Sequence, residues 1–185
     1  VDVIRSSVKD AKVGIVINVT PAVPASESDE DKRAADLADG FDNRWFLNPV
    51  FGKSYPEDVL QALGESPAIE AGDMKEIAKD LDFLGVNFYF RQTVKHDPTG
   101  KPLPIKNVRR ENVKRTFMDW EVHAPALAEY LTRIHRLFAP KEMYVTENGS
   151  AWDDRLVNGK IEDDERISYF KEHLAAIESA REAGA

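Results

Sequence analysis

Three short apolar runs, each closing on a polar residue, constrain the fold of this chain more than any other feature. Val13–Val19 reads Val-Gly-Ile-Val-Ile-Asn-Val and is almost unbroken, as a parallel strand covered on both faces requires. Leu81–Phe90 (Leu-Asp-Phe-Leu-Gly-Val-Asn-Phe-Tyr-Phe) and Lys141–Thr146 read as the second and third strands. Helical patterns lie between them, so the order is helix, strand, helices, strand, helix, strand, helix. Such alternation predicts parallel strands joined by right-handed crossovers, an α/β fold. The strand ends lie roughly 60–70 residues apart, and eight such units need ~500 residues, within reach of an enlarged (β/α)8 barrel. A doubly wound open sheet is the alternative. It usually carries a glycine-rich phosphate loop after one strand, and no such loop occurs here.

The strand ends carry the chemistry. Residues 143–149 read Met-Tyr-Val-Thr-Glu-Asn-Gly: an apolar strand brings Glu147 to its end, and Asn-Gly turns the chain away. A carboxylate there is costly to desolvate, so it has hydrogen-bond partners or a task. Its residue type leaves two readings open, a nucleophile or base, and a structural glutamate paired to a neighbouring arginine. Asn18 and Asn87 close the other two runs. Side chains alternate along a strand, so Asn87 and Tyr89 share one face while Phe88 and Phe90 take the other. In a barrel these ends all point to the C-terminal rim, where active sites sit.

The surroundings narrow the chemistry further. There is no cysteine among the 185 residues, which excludes disulfides, thiolate metal sites and thiol nucleophiles. Four scattered histidines show no ligand spacing, so no metal or other cofactor is expected. The net charge of −8 disfavours nucleic acid or an anionic membrane as partner. No apolar run approaches the ~20 residues of a membrane span. No signal peptide is visible, which points to the cytoplasm. A chain that starts at Val1 without an initiator methionine says little on that point, however, and both ends read as cut.

Helices are expected to begin near Ser28-x-x-Asp31, Pro56, Asp73 and Pro125, with the first of these stopped by Asn48-Pro49. Trp45 and Phe46 read as core. Ile167, Phe170, Leu174 and Ile177 form an apolar stripe on the last helix. Residues 91–118 and 148–161 read as loops.

These residues carry a specific resemblance. Tyr-Val-Thr-Glu-Asn-Gly (144–149) is similar to the nucleophile motif of glycoside hydrolase family 1, the β-glucosidase and β-galactosidase group. Leu84-Gly-Val-Asn-Phe-Tyr89 resembles the preceding strand of that family, and Val13–Pro21 the strand before it. Ala38–Pro49 and Gly52-x-x-Tyr55-Pro56 resemble further family segments, and the likeness spans essentially the whole chain. The resemblance implies a retaining β-glycosidase acting on β-glucosides or related small saccharides, built on a (β/α)8 TIM barrel, with residues 1–185 forming one partial segment that holds strands five to seven. It implies Glu147 as nucleophile and Tyr89 as the phenol that orients it. It implies Asn87, Asn18 and Trp120 as substrate contacts, with Trp120 a platform for the leaving group. Phe88 stands where the family usually has tyrosine. The family's acid/base carboxylate lies in a Thr-x-Asn-Glu-Pro segment, and no Asn-Glu-Pro occurs here. The chain therefore reads as an internal fragment holding one half of a catalytic pair. A non-catalytic carbohydrate-binding or structural remnant of the same ancestry is the other reading.

Overall fold

The structure, a computed structural model, describes residues 1–185. Helix α1 (Asp2–Ser7) leads into β1 (Gly14–Val19) and β2 (Ala22–Pro24). Helices α2 (Asp29–Asp39), α3 (Trp45–Val50), α4 (Glu57–Leu63) and α5 (Asp73–Ile77) precede β3 (Phe83–Phe88), β4 (Gln92–His96) and β5 (Ile105–Asn107). Then come α6 (Pro125–Phe138), β6 (Met143–Glu147), the pair β7 (Leu156–Val157) and β8 (Lys160–Ile161), and α7 (Asp164–Glu182). No helix is long and apolar enough to cross a membrane.

The three runs singled out in the sequence form one parallel sheet in the order β1-β3-β6. Its two faces differ sharply. Ile17, Val19, Leu84, Val86 and Phe88 point outward and are buried against Leu47 of α3, Leu127, Leu131 and Ile134 of α6, and Ala176 and Ala180 of α7. Apolar burial of this kind contributes ~25 cal/mol per Å² and is what holds the helices on the sheet. On the other face Val16, Gly85 and Thr146 lie side by side. A Cβ at Gly85 would stand 2.8 Å from Val16 Cγ2 and 2.9 Å from Thr146 Cγ2, so only glycine fits between two β-branched neighbours. Strands carrying helices on one face and a row of inward-facing side chains on the other are the local architecture of a (β/α)8 barrel wall.

The helix signals in the sequence act as expected at several ends. Ser28 caps α2 by accepting from the Asp31 amide, and Pro125 sits in the first turn of α6. Ala139 ends α6 in the left-handed conformation, and Pro140 follows.

Other expectations are corrected. The helical run that starts near Ser28 does end at Asn48-Pro49, with Val50 its last residue, but it is not one α-helix: a π-helical turn over Gly40–Arg44 divides it into α2 and α3. Phe46 is exposed rather than core. Residues 91–118 are not one loop. β4 pairs in parallel with β2 and antiparallel with β5, forming a small second sheet beyond the end of the first. Within 148–161, β7 and β8 form a hairpin. On α7 the buried face is Tyr169, His173, Ala176 and Ala180, while Ile167, Phe170 and Leu174 are exposed. The small alanines let α7 approach the sheet and α6 closely, which a Phe170–Leu174 face would prevent.

Candidate active site

The register of the parallel sheet places Asn18 opposite Asn87, and Asn87 opposite Glu147. The three polar strand ends thus form one row across the C-terminal rim. Strict alternation would not put Glu147 on the right side of that row. Thr146 faces inward, since it meets the Gly85 position, so the next residue should face the helices. The pairing of β3 with β6 slips by one residue between Val86 and Asn87, a β-bulge at Thr146. Bulges bend a strand and re-aim a side chain. Here the extra residue brings Thr146 and Glu147 onto the same face as Asn87 and Tyr89.

The contacts follow from that arrangement. The Tyr89 hydroxyl donates a hydrogen bond to Glu147 Oε2. The Thr146 hydroxyl donates to Asn87 Oδ1 at 2.7 Å. Glu147 makes no ion pair with any arginine or lysine of this chain. Its partner is a neutral phenol whose pKa is raised, first by the bond to Glu147 and then by burial and by the carboxylate charge. Neutral Tyr89 is therefore the form that persists, able to donate and unable to repel. An exposed carboxylate with one oxygen held and the other free is equipped to attack an electrophilic carbon or to take a proton.

Trp120 stands beside this pair. Its ring centroid lies 5.6 Å from that of Tyr89 and stacks on Phe90 at 4.8 Å and 21°. The expectation that Phe90 shares the outer face with Phe88 is therefore corrected: Phe88 is buried in the helical core, and Phe90 backs Trp120. Between the Val19–Phe88 and Ala22–Gln92 pairs, one chain runs through Thr20 and Pro21 and the other through Tyr89, Phe90 and Arg91. The additional residue resets the side-chain alternation. Asn18 is exposed at the open side of the row, one strand further from Glu147 than Asn87.

Three further residues at the rim were given no role by the sequence, although Asn148 lies inside the Glu147 motif and Asn43 inside the Ala38–Pro49 segment. Asn43, on the π-helical turn, accepts from the Thr20 amide at 2.8 Å and donates to the Thr20 carbonyl at 3.0 Å, replacing a strand partner just beyond β1. Asn148 donates to the Phe88 carbonyl at 2.9 Å and to the Tyr169 hydroxyl at 3.1 Å. Tyr169, fully buried, donates to the Tyr89 carbonyl at 2.9 Å. A spacing signal for Tyr169 does exist in the sequence: Tyr169, His173, Ala176 and Ala180 recur at steps of four, three and four along α7. No group of three or more histidine, aspartate or glutamate side chains is placed to hold a metal ion.

Comparison with known proteins places the chain in a family. The model of glycosyl hydrolase family 1 matches residues 1–185. A 1,4-beta-D-glucan glucohydrolase of Thermotoga neapolitana is 39% identical over 187 residues, taking in 100% of this chain and 44% of that protein. Beta-glucosidase A of Thermotoga maritima is 38% identical, again over 100% of this chain and 42% of that protein. The solved structure of a Thermotoga maritima family 1 glycoside hydrolase, complexed with a cyclophellitol analogue transition state mimic, superposes with a TM-score of 0.92. That match is 38% identical and covers 99% of this chain and 41% of the other. The chain spans about two-fifths of the length of these relatives. Its three-stranded wall is part of their TIM barrel, and the chain belongs to glycosyl hydrolase family 1.

Proposed function

We propose that this chain is the nucleophile-bearing segment of a retaining β-glycosidase that hydrolyses β-glucosides. The observation that carries the reading is the hydrogen bond from Tyr89 to Glu147 at the rim, with Asn87 beside them. In this reading residues 1–185 form a single partial-barrel segment. Glu147 attacks the anomeric carbon and forms a glycosyl-enzyme ester while the aglycone leaves. Water then cleaves the ester. Tyr89 holds one carboxylate oxygen, so the other is aimed at the sugar before it arrives. Asn87 and Asn18 offer amide donors and acceptors to sugar hydroxyls along the row. Trp120 supplies an aromatic face for the leaving group, kept in plane by Phe90.

Retention requires a second carboxyl group ~5–5.5 Å from the first. The family's Asn-Glu-Pro segment, its usual source, does not occur in this sequence. We therefore expect the isolated 185 residues not to turn over an aryl β-glucoside. Turnover of such a substrate that disappears in Glu147→Ala would overturn this. In a full barrel carrying the segment, a 2-fluoro-glucoside should label the peptide that contains Glu147, and labelling elsewhere would refute the nucleophile assignment.

A further inference from the structure

We propose that Tyr169 is a positioning residue for the Tyr89–Glu147 pair, working with Asn148 as one junction between the end of β3 and the turn after β6. The proposal rests on the reading of Glu147 as nucleophile for its consequence in catalysis, but not for its geometry.

The backbone shows why a junction is needed. The parallel ladder between β3 and β6 ends at the Asn87–Glu147 pair, because Asn148-Gly149 turns the chain away. The carbonyls of Phe88 and Tyr89 project from β3 beyond that last pair. Carbonyls left at a buried strand end need donors, because a buried acceptor without a partner has lost its hydration and gained nothing in exchange. The Asn148 side-chain amide takes the first at 2.9 Å and the Tyr169 hydroxyl takes the second at 2.9 Å. The two side chains are themselves joined, amide to hydroxyl oxygen, at 3.1 Å. A closed path therefore runs from the Tyr89 backbone through Tyr169 to Asn148, the residue next to Glu147. Its two ends are the residues whose side chains meet at the rim.

Tyr169 is well placed to be rigid. It is fully buried, its ring stacks on His173 at 3.8 Å and 22°, and it meets Phe170 edge-on at 5.8 Å. Its proton is committed to the Tyr89 carbonyl, and burial keeps the phenol neutral. The distance between Tyr89 and Glu147 is thus fixed from behind by a helix residue that touches neither the sugar nor the carboxylate. Displacing a reacting group by ~1 Å costs up to about a hundredfold in rate.

The test uses the full barrel protein carrying this segment. Tyr169→Phe deletes one oxygen and keeps the ring, its stacking and its fit. Two readouts are taken: kcat and KM on an aryl β-glucoside, and the Tyr89 phenol midpoint from 13Cζ-tyrosine titration, assigned by its loss in Tyr89→Phe. The expected result is a fall in kcat of about ten- to a hundredfold with KM within about twofold. The Tyr89 midpoint should drop toward the ordinary tyrosine value as the pair loosens. In a Tyr89→Phe background the same substitution should cost less than about threefold, because the group it positions is already gone. Asn148→Ala should reproduce both effects if Tyr169→Phe folds poorly. An unchanged Tyr89 midpoint, a kcat within about threefold of the parent, or a full loss multiplied onto that of Tyr89→Phe would each overturn the proposal. Failure of the nucleophile reading is separately visible as undiminished turnover by Glu147→Gln; the Tyr89 midpoint still decides whether Tyr169 holds the pair.

Discussion

Removing the carboxylate of Asp39 should cost this fold about 1–3 kcal/mol, less than a buried pair whose surviving charge is left uncompensated. The structure lets the figure be built partner by partner. Asp39 is 2% exposed and accepts four hydrogen bonds: from Tyr130 at 2.8 Å, Asn43 at 3.1 Å, Arg44 at 3.0 Å and Arg133 at 2.7 Å. In Asp39→Ala, Arg44 keeps Asp58 at 2.7 Å and the Asp36 carbonyl at 2.9 Å, so its loss is small. Arg133 is about a third exposed and turns to water. Asn43 keeps its two bonds to the Thr20 backbone. Tyr130 has no such alternative: its hydroxyl is buried and Asp39 is its acceptor, so ~1–3 kcal/mol falls there. Urea unfolding followed by circular dichroism measures the total. The double variant Asp39→Ala/Tyr130→Phe, which removes the orphaned hydroxyl with its acceptor, should recover ~1.5–3 kcal/mol of the sum of the single losses. A loss below ~1 kcal/mol, or strictly additive variants, would refute the account of Asp39 as the pin between α2 and α6.

Gly85→Ala should destabilise the sheet by ~1–3 kcal/mol, since the new methyl meets Val16 and Thr146 inside 3.0 Å. A melting temperature equal to the parent's would contradict the inner-layer packing. Stability should also fall at alkaline pH through Tyr169. Burial raises its phenol from the ordinary 10.0 to about 12, so its contribution is complete below pH 10 and lost as pH rises through 12. The difference in unfolding free energy between the parent and Tyr169→Phe should change by ~2–3 kcal/mol across that window, and a flat difference would contradict the burial. Exposed Val16 and Tyr144 lie on the uncovered face of the sheet, and β1 and β6 both have a free edge, so the chain alone should self-associate. Sedimentation of a single monomeric species at high micromolar concentration would count against this.

The strands were legible because their apolar runs are set by burial, which composition and period report directly. The outward face of β3, with Leu84, Val86 and Phe88 all buried, is the one alternation predicts. The second sheet was not legible. β4 contains Lys95 and His96, both exposed, and becomes a strand only because β2 and β5 supply partners from 70 residues before and about a dozen after. The buried face of α7 was misread for another reason. Hydropathy favours Ile167, Phe170 and Leu174, whereas close packing selects the small alanines and the two flat rings of Tyr169 and His173.

The aim of Glu147 shows where local sequence stops and register begins. Thr146 and Glu147 are adjacent, and on a regular strand they would face opposite sides. No residue type in Tyr-Val-Thr-Glu-Asn announces the bulge; it exists because β6 pairs one residue out of step with β3 beyond Val86. Two restraints keep it there. Ahead of the slip, Gly85 leaves room for Thr146 to face inward, where its hydroxyl reaches Asn87. Behind it, Asn148 reaches back to the Phe88 carbonyl and fixes where the turn starts. The three-residue step Thr-Glu-Asn is thus held at both ends by β3, and the carboxylate between them has one direction left to point, toward the phenol of Tyr89.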